Sequence, residues 1–511
     1  MNTEPLIRPL DKHNQRLLDA VHPASWQNPE AADRYHLVVV GAGTAGLVAA
    51  AGAAGLGAKV ALVERHLMGG DCLNFGCVPS KALISAARAW HQARSGGAIF
   101  GAPVPEPDAT DDFAHVMERM RRLRADIGPH DGAQRFTELG IDVFLGSGRF
   151  VAEDAVEVDG QRLHFRRAVI ATGGRAAVPP IPGIEDSGFL TNASIFELTS
   201  KPASLIVIGA GPIGCELAQA FARFGTAVTL VDRGQLLPRE DPDAAEIVQR
   251  SLERDGVRLE LNAQVKQVEL TPEGQRKVQL ERDGKSITVH GAELLLAAGR
   301  RPNVEGLGLE AAGVSFNPRG IQVDDTLRTS NSRIYAIGDV ASPLQFTHVA
   351  DAQARLVIRR ALFPNLPFGG PKNSDLVVPW CTYTSPEIAH VGLYEADAED
   401  RGIAVDTITV PLDATDRARL DGEGEGMLKI HVEKGKDRIL GATLVAEHAG
   451  DLIAELTLAI TAKVGLAQIA ATIHPYPTQS EIVKRAADAW YRRKLTPSAK
   501  GWLERYFRWI R

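Results

Sequence analysis

The sequence predicts an α/β chain built on two Rossmann-like dinucleotide-binding folds. Two observations carry this expectation. One strand–turn–helix–strand unit occurs twice, and each copy ends in an acidic residue at the same distance from its first glycine. Residues 36–65 open on the apolar run 37–40, turn through Gly41-x-Gly43-x-x-Gly46, continue as an alanine-rich helix and close on residues 60–64, ending at Glu64. Residues 204–233 repeat the unit, from the apolar run 205–208 through Gly209-x-Gly211-x-x-Gly214 to Asp232 and Arg233. Glu64 and Asp232 each stand 23 positions after the first glycine.

Each residue type has a physical task. Gly41 and Gly209 permit the tight turn, Gly43 and Gly211 let the backbone approach a pyrophosphate, and Gly46 and Gly214 let helix and strand pack closely. The free N–H groups at each helix start face the phosphates, and Glu64 and Asp232 can bond a ribose diol. Two such sites suggest two cofactors, and a tightly held flavin with a visiting nicotinamide is one pair that would fit. Asp232 would repel a 2′-phosphate and so favours NADH; Arg233 beside it leaves NADPH open.

Bulk properties narrow the rest. A chain of 511 residues accommodates two or three domains. A net charge of −6 argues against a general nucleic-acid binder. No apolar run reaches the ~18 residues of a membrane span, and the polar N-terminus does not resemble a secretory signal, so a cytoplasmic location is expected. The four cysteines, Cys72, Cys77, Cys215 and Cys381, are too few for a disulfide framework. With no second pair or histidine cluster nearby, no metal site is expected.

Cys72 and Cys77 are five positions apart. On an ideal helix that is about 140° of rotation and about 7.5 Å of rise, too far for bonding, which needs Cα atoms within about 7 Å. A redox-active pair therefore requires a broken backbone, which Gly76 and Pro79 could supply. Cys215 and Cys381 read as small core residues.

The run Gly69-Gly70-Asp71-Cys72 to Cys77-Val78-Pro79-Ser80-Lys81 resembles the signature of the pyridine nucleotide-disulphide oxidoreductases. So do Ala171-Thr172-Gly173, the run Ala298-Gly299-Arg300-Arg301-Pro302-Asn303, the run ending Gly338-Asp339, and residues 383–387. The resemblance spans roughly 36 to 488. It implies FAD, held also by Gly70, Asp71, Lys81, Ala171, Thr172, Gly173, Arg301, Gly338 and Asp339, and a nicotinamide site that includes Gly299. It implies that Cys77 is the flavin-proximal thiol, that Cys72 is the exchange thiol meeting the substrate, and that Lys81 pairs with Glu216 beside the flavin. It implies a homodimer, with Tyr476 and Glu481 acting in trans over the partner's thiols. The expected division is an N-terminal extension (1–35), an FAD domain (36–160 and 291–370), an inserted NAD(P) domain (161–290), an α+β dimerisation domain (371–488) and a basic aromatic tail (489–511).

The chain also departs from that pattern. Dithiol-handling relatives place a histidine where Tyr476 stands, paired with the glutamate at 481. A phenol with a pKa near 10 is a poor base, and His474 lies two residues earlier. Mercuric reductases share the Pro-Tyr step, but their C-terminal cysteine pair has no counterpart here. Three of the six tryptophans, Trp490, Trp502 and Trp509, fall in the last 22 residues, and Leu503, Tyr506, Phe507 and Ile510 repeat at helical spacing, with Lys500, Arg505, Arg508 and Arg511 on other faces. This reads either as a basic amphipathic helix lying on a membrane surface or docking a partner, or as a helix packed on its own dimer. Three functions compete: an NADH-dependent reductase of disulfides or thiophilic metals; a reductase of quinones or oxygen acting directly from the flavin; and a redox-sensing flavoprotein.

Overall fold

In the computed structural model, which describes residues 6–100, 111–363 and 370–511, the two repeated units fold as two separate parallel sheets. In the first, Tyr35–Val40 lies between Val60–Glu64 and Gln161–Ile170, with Ile141–Leu145 outside one and Ile334–Ala336 outside the other. All five run parallel. This order puts a switch point at the C-terminal end of Tyr35–Val40, where open α/β sheets bind ligands. A hairpin, Arg149–Ala152 and Ala155–Val158, continues the sheet antiparallel through the first residues of Gln161–Ile170.

The second sheet has the order Arg258–Glu260, Ala227–Val231, Ser204–Ile208, Glu293–Leu296, again parallel throughout. A three-stranded antiparallel meander from Gln264 to Gly291 stands beside it. The boundaries expected at 160/161 and 290/291 are displaced. Gln161–Ile170 pairs with Tyr35–Val40 and so belongs to the first sheet, while Glu293–Leu296 pairs with Ser204–Ile208 in the second. Both are short apolar strands, and only long-range pairing decides which sheet receives them.

Past residue 378 the fold is α+β. Five antiparallel strands take the order Pro379–Thr382, Glu387–Gly392, Ile439–Ala446, Met427–Glu433, Val405–Pro411. Helices Ala449–Ala462 and Glu481–Arg493 contribute Ile453, Leu456, Ile482 and Val483 to the same core. Trp490 is buried there as well, so the tail begins after Arg493 rather than at 489.

The N-terminal extension is built into the first domain. Helix Lys12–Val21, capped by the Asp11 carboxylate, buries Leu17 and Val21. Beyond it, Trp26 Nε1 donates to the Val143 carbonyl at 3.2 Å, and the Asn28 amide bonds both backbone groups of Leu145 at 2.7 and 3.0 Å. Val143 and Leu145 lie on the outermost parallel strand, so the extension satisfies an edge that would otherwise be open.

Candidate active site

The two glycine turns show which residue does what. A Cβ at Gly41 would lie 2.4 Å from the Ala171 carbonyl oxygen and one at Gly209 2.4 Å from that of Ala297. Both residues have positive φ, +104° and +114°. At Gly46 and Gly214 a Cβ would come within 1.8 Å of the first glycine's own carbonyl oxygen. The middle glycines differ: Gly211 has nothing within 4 Å, and Gly43 only the Gly70 Cα at 3.8 Å. The outer glycines thus serve the fold and the middle ones leave the backbone open to a ligand, which is the fit a pyrophosphate needs. The Glu64 carboxylate accepts from the amides of Ala42 and His66, both at 2.7 Å. Asp232 accepts from Ala210 and Gly234 at 2.7 and 2.8 Å. Arg233 is exposed and makes no ion pair among the described residues.

Around the first turn, the ends of three adjacent parallel strands deliver Gly41, Ala171 and Gly338 to one crevice. Thr172 donates to the Asn303 carbonyl at 2.8 Å, and the Asn303 amide returns a bond to the Thr172 carbonyl at 2.9 Å. This locks the segment holding Ala171, Thr172 and Gly173. Gly299, at φ +114°, is open on all sides. Arg300, not Arg301, reaches inward. Its guanidinium bridges Asp71 at 3.1 Å and Asp339 at 3.2 Å. Arg301 points out to Glu305 at 2.8 Å. The two lie on strand Arg300–Pro302, where neighbouring side chains face opposite ways, so Arg300 rather than the expected Arg301 is the one that faces the crevice. Burial raises the Asp339 carboxyl above its usual range despite Arg300.

The backbone break required between the cysteines is present. Gly70–Asn74 is a short helix carrying Cys72, and Cys77 opens the long helix Cys77–Phe100. Phe75 leaves helical geometry with φ −138° and ψ 2°. Gly76 then passes so close to Asp71 that a Cβ would meet its carbonyl oxygen at 2.9 Å. Pro79 falls in the first turn of the second helix, where its missing N–H costs nothing.

Both thiols are free, and each acts on the ionisation of the other. The Cys72 thiol beside it brings the Cys77 pKa down to about 6 against the effect of burial. Thr347, with its hydroxyl 3.4 Å from the Cys77 sulfur, and the Lys81 charge act in the same direction. Cys77 in turn, with burial, pushes Cys72 up. Cys77 also sits at a helix N-terminus, and Thr347 starts a second helix, Thr347–Leu362. Both positive helix ends favour a thiolate. Sequence reasoning missed Thr347 because nothing local marks it.

Lys81, one turn beyond Cys77, meets Glu216 at 2.9 Å. Burial opposes the Lys81 charge, but Glu216 outweighs it and raises the pKa. Glu216 lies on Pro212–Arg223 of the second nucleotide domain, and its other oxygen accepts from the Tyr383 amide at 2.9 Å. Lys81 is also 4.3 Å from the centre of the Tyr383 ring. One ion pair therefore joins all three domains beside the thiols. Cys215 is fully buried and Cys381 half-buried, as small core residues would be.

Tyr476 and Glu481 are not paired with each other. Tyr476 is 71% exposed and donates to Asp416 at 3.0 Å. Glu481 binds Arg485 at 2.8 Å. The His474 side chain is turned inward onto Glu455 at 2.9 Å, with 6% of its surface exposed. Tyr476 therefore projects from the domain while His474 does not.

Two dinucleotide folds meeting a polarised thiol pair define a nucleotide-dependent thiol–disulfide oxidoreductase. The chain belongs to the pyridine nucleotide-disulphide oxidoreductase family, whose model matches residues 35–354, with the family's dimerisation domain matching 378–487. Members are FAD-dependent enzymes that use a pyridine nucleotide, and this chain is an enzyme of that type. It is 37% identical over 463 residues to a mercuric reductase of Bacillus cereus, covering 90% of this chain and 72% of that protein. It is 36% identical to a dihydrolipoyl dehydrogenase of Geobacillus stearothermophilus, covering 88% and 95%. Among solved structures, LpdA of Mycobacterium tuberculosis superposes with a TM-score of 0.80 at 27% identity, covering 90% and 100%. The HOCl-induced flavoprotein disulfide reductase RclA of Escherichia coli, as its Cu(II) complex, gives 0.77 at 28%, covering 90% and 100%.

Proposed function

We propose that the enzyme passes reducing equivalents from NADH by way of FAD to the Cys72–Cys77 pair, and that Cys72 delivers them to a thiophilic metal ion. The observation that carries this is the polarised pair itself: one thiol held as a thiolate at two helix starts, the other kept protonated beside it. FAD would be held by the turn at Gly43, Glu64, the Ala171–Gly173 crossover and Asp339, and NADH by the turn at Gly211 and Asp232. Bound there, FAD supplies the hydride acceptor and two-electron carrier. Lys81, fixed by Glu216, places a positive charge beside the Cys77 thiolate.

Closing this thiolate–thiol pair to a disulfide releases two electrons and the one proton that Cys72 carries. Hg(II) would accept both electrons and leave as Hg(0); Cu(II) would take one electron per ion. Tyr476 favours a metal over a dithiol substrate. Asp416, hydrogen-bonded to its phenol, raises the Tyr476 pKa, so it is no base at neutral pH. A metal held by two thiolates needs no proton delivered to a leaving thiol. In the homodimer we propose, each Tyr476 projects towards the other subunit's Cys72.

Steady-state turnover tests this reading. Hg(II) or Cu(II) should be reduced with NADH, faster than with NADPH, while lipoamide and glutathione disulfide are poor substrates. Cys72→Ser should lower metal turnover by roughly a thousandfold or more and leave flavin bleaching by NADH intact. Full turnover in Cys72→Ser would transfer the function to direct reduction of quinones or oxygen from the flavin.

A further inference from the structure

The last helix, Pro497–Ile510, is capped by Thr496, whose hydroxyl accepts from the Ala499 amide at 3.2 Å. It buries no residue. Trp502, Phe507, Trp509 and Ile510 are 64, 58, 82 and 53% exposed, and Tyr506 42%. At 100° per residue these five fall within about 160° of arc. Lys500, Arg505, Arg508 and Arg511 take the remaining arc. Residues 490–511 hold seven Lys and Arg against one acid, Glu504, in a chain whose net charge is −6. None of the seven is in an ion pair among the described residues, although ion pairs are frequent elsewhere on this surface.

From this geometry we infer that the helix docks the enzyme onto an anionic lipid surface, lying in the plane of the interface. Charge decides between this occupant and a protein. A single protein partner would need an acidic face matched to these unpaired cations one by one, whereas an anionic lipid surface attracts each basic residue near it whatever its exact position. Here an apolar arc rich in Trp and Tyr is flanked by unneutralised cations. That layout matches rings at the acyl boundary and cations among headgroups. Trp and Tyr have an apolar body and a polar edge, which suits that depth. No helix among the described residues is long and apolar enough to cross a membrane, so the contact is peripheral. The short linker after Arg493 would hang the enzyme from the lipid by its dimerisation domain, with the two nucleotide clefts left in solvent.

The test uses full-length, FAD-loaded protein and sedimentation with vesicles of phosphatidylcholine alone or mixed with phosphatidylglycerol. The expected result is binding to the mixed vesicles only, weakening as salt rises, with a blue shift of tryptophan emission. The double substitution Arg505→Gln with Arg508→Gln should weaken binding roughly thirtyfold. Trp509→Ser with Phe507→Ser should abolish it. Deleting 496–511 should do the same without changing NADH oxidation or molecular mass in solution. Equal binding to both vesicle types, no binding by the wild type, or a change in oligomeric state on deletion would each overturn the inference, the last by assigning the helix to a second copy of the chain.

Discussion

Thr347 sets its hydroxyl 3.4 Å from the Cys77 sulfur and so helps hold a thiolate whose pKa lies near 6 rather than the ordinary 9. In the dithiol form, the folded chain binds fewer protons at Cys77 than the unfolded chain does between those values. Its stability should therefore rise with pH across that window and be lost as pH falls through about 6. Thr347→Val removes the donor. Its thiolate absorbance should titrate at higher pH, and the thermal midpoint of the dithiol form should depend less on pH. A titration midpoint equal to the wild type's would show that the hydroxyl does not act on Cys77. Arg300 shows the same principle in acid–base form. Placed between Asp71 and Asp339, it lets two carboxylates approach one crevice. Asn192 holds the other oxygen of Asp71 at 3.0 Å.

The element scale explains why the N-terminal extension is ordered. Asn14 on its helix accepts from Arg124 at 2.7 Å, and Arg124 donates to the Asn74 carbonyl at 2.6 Å. Asn74 ends the Cys72 helix and donates its own amide to the carbonyls of Met68 and Gly70 at 3.0 and 2.8 Å. All three side chains are buried, so the redox loop is tied to a helix some sixty residues earlier through one guanidinium. Asn14→Ala would leave a buried donor unmet and should cost about 1–3 kcal/mol in urea unfolding. It should also speed alkylation of Cys72 severalfold, whereas Gln15→Ala on the exposed face should do neither. Unchanged alkylation would reduce the extension to a stabilising clasp.

For the whole molecule, the proposed dimer makes each site from two chains. Cys72→Ser and Tyr476→Ala homodimers should both be impaired. Mixing them should restore about a quarter of wild-type metal turnover, since half of randomly paired dimers are hybrids with one intact site. No recovery, from two individually impaired variants, would place both residues in one subunit's site. Within a chain, Lys81–Glu216 and the Glu216–Tyr383 bond tie the three domains beside the thiol pair. The nicotinamide domain is thereby held against the thiol helix.

The sequence by itself determined the two nucleotide folds, their glycine roles, the terminal acids and the thiol pair. These signals are local: a turn, a helix start and a strand fit within about thirty residues, and their steric demands can be written residue by residue. It also foretold the broken backbone between Cys72 and Cys77, because helix geometry forbids the alternative. Tertiary structure alone decided which sheet received Gln161–Ile170 and Glu293–Leu296, which of Arg300 and Arg301 faces the crevice, and that Thr347, 270 positions from Cys77, touches its sulfur. It also decided that Trp490 is core while Trp502 and Trp509 are surface. Strand partners, the facing of a short strand and contacts across hundreds of residues depend on how the whole chain closes, and no local period encodes them.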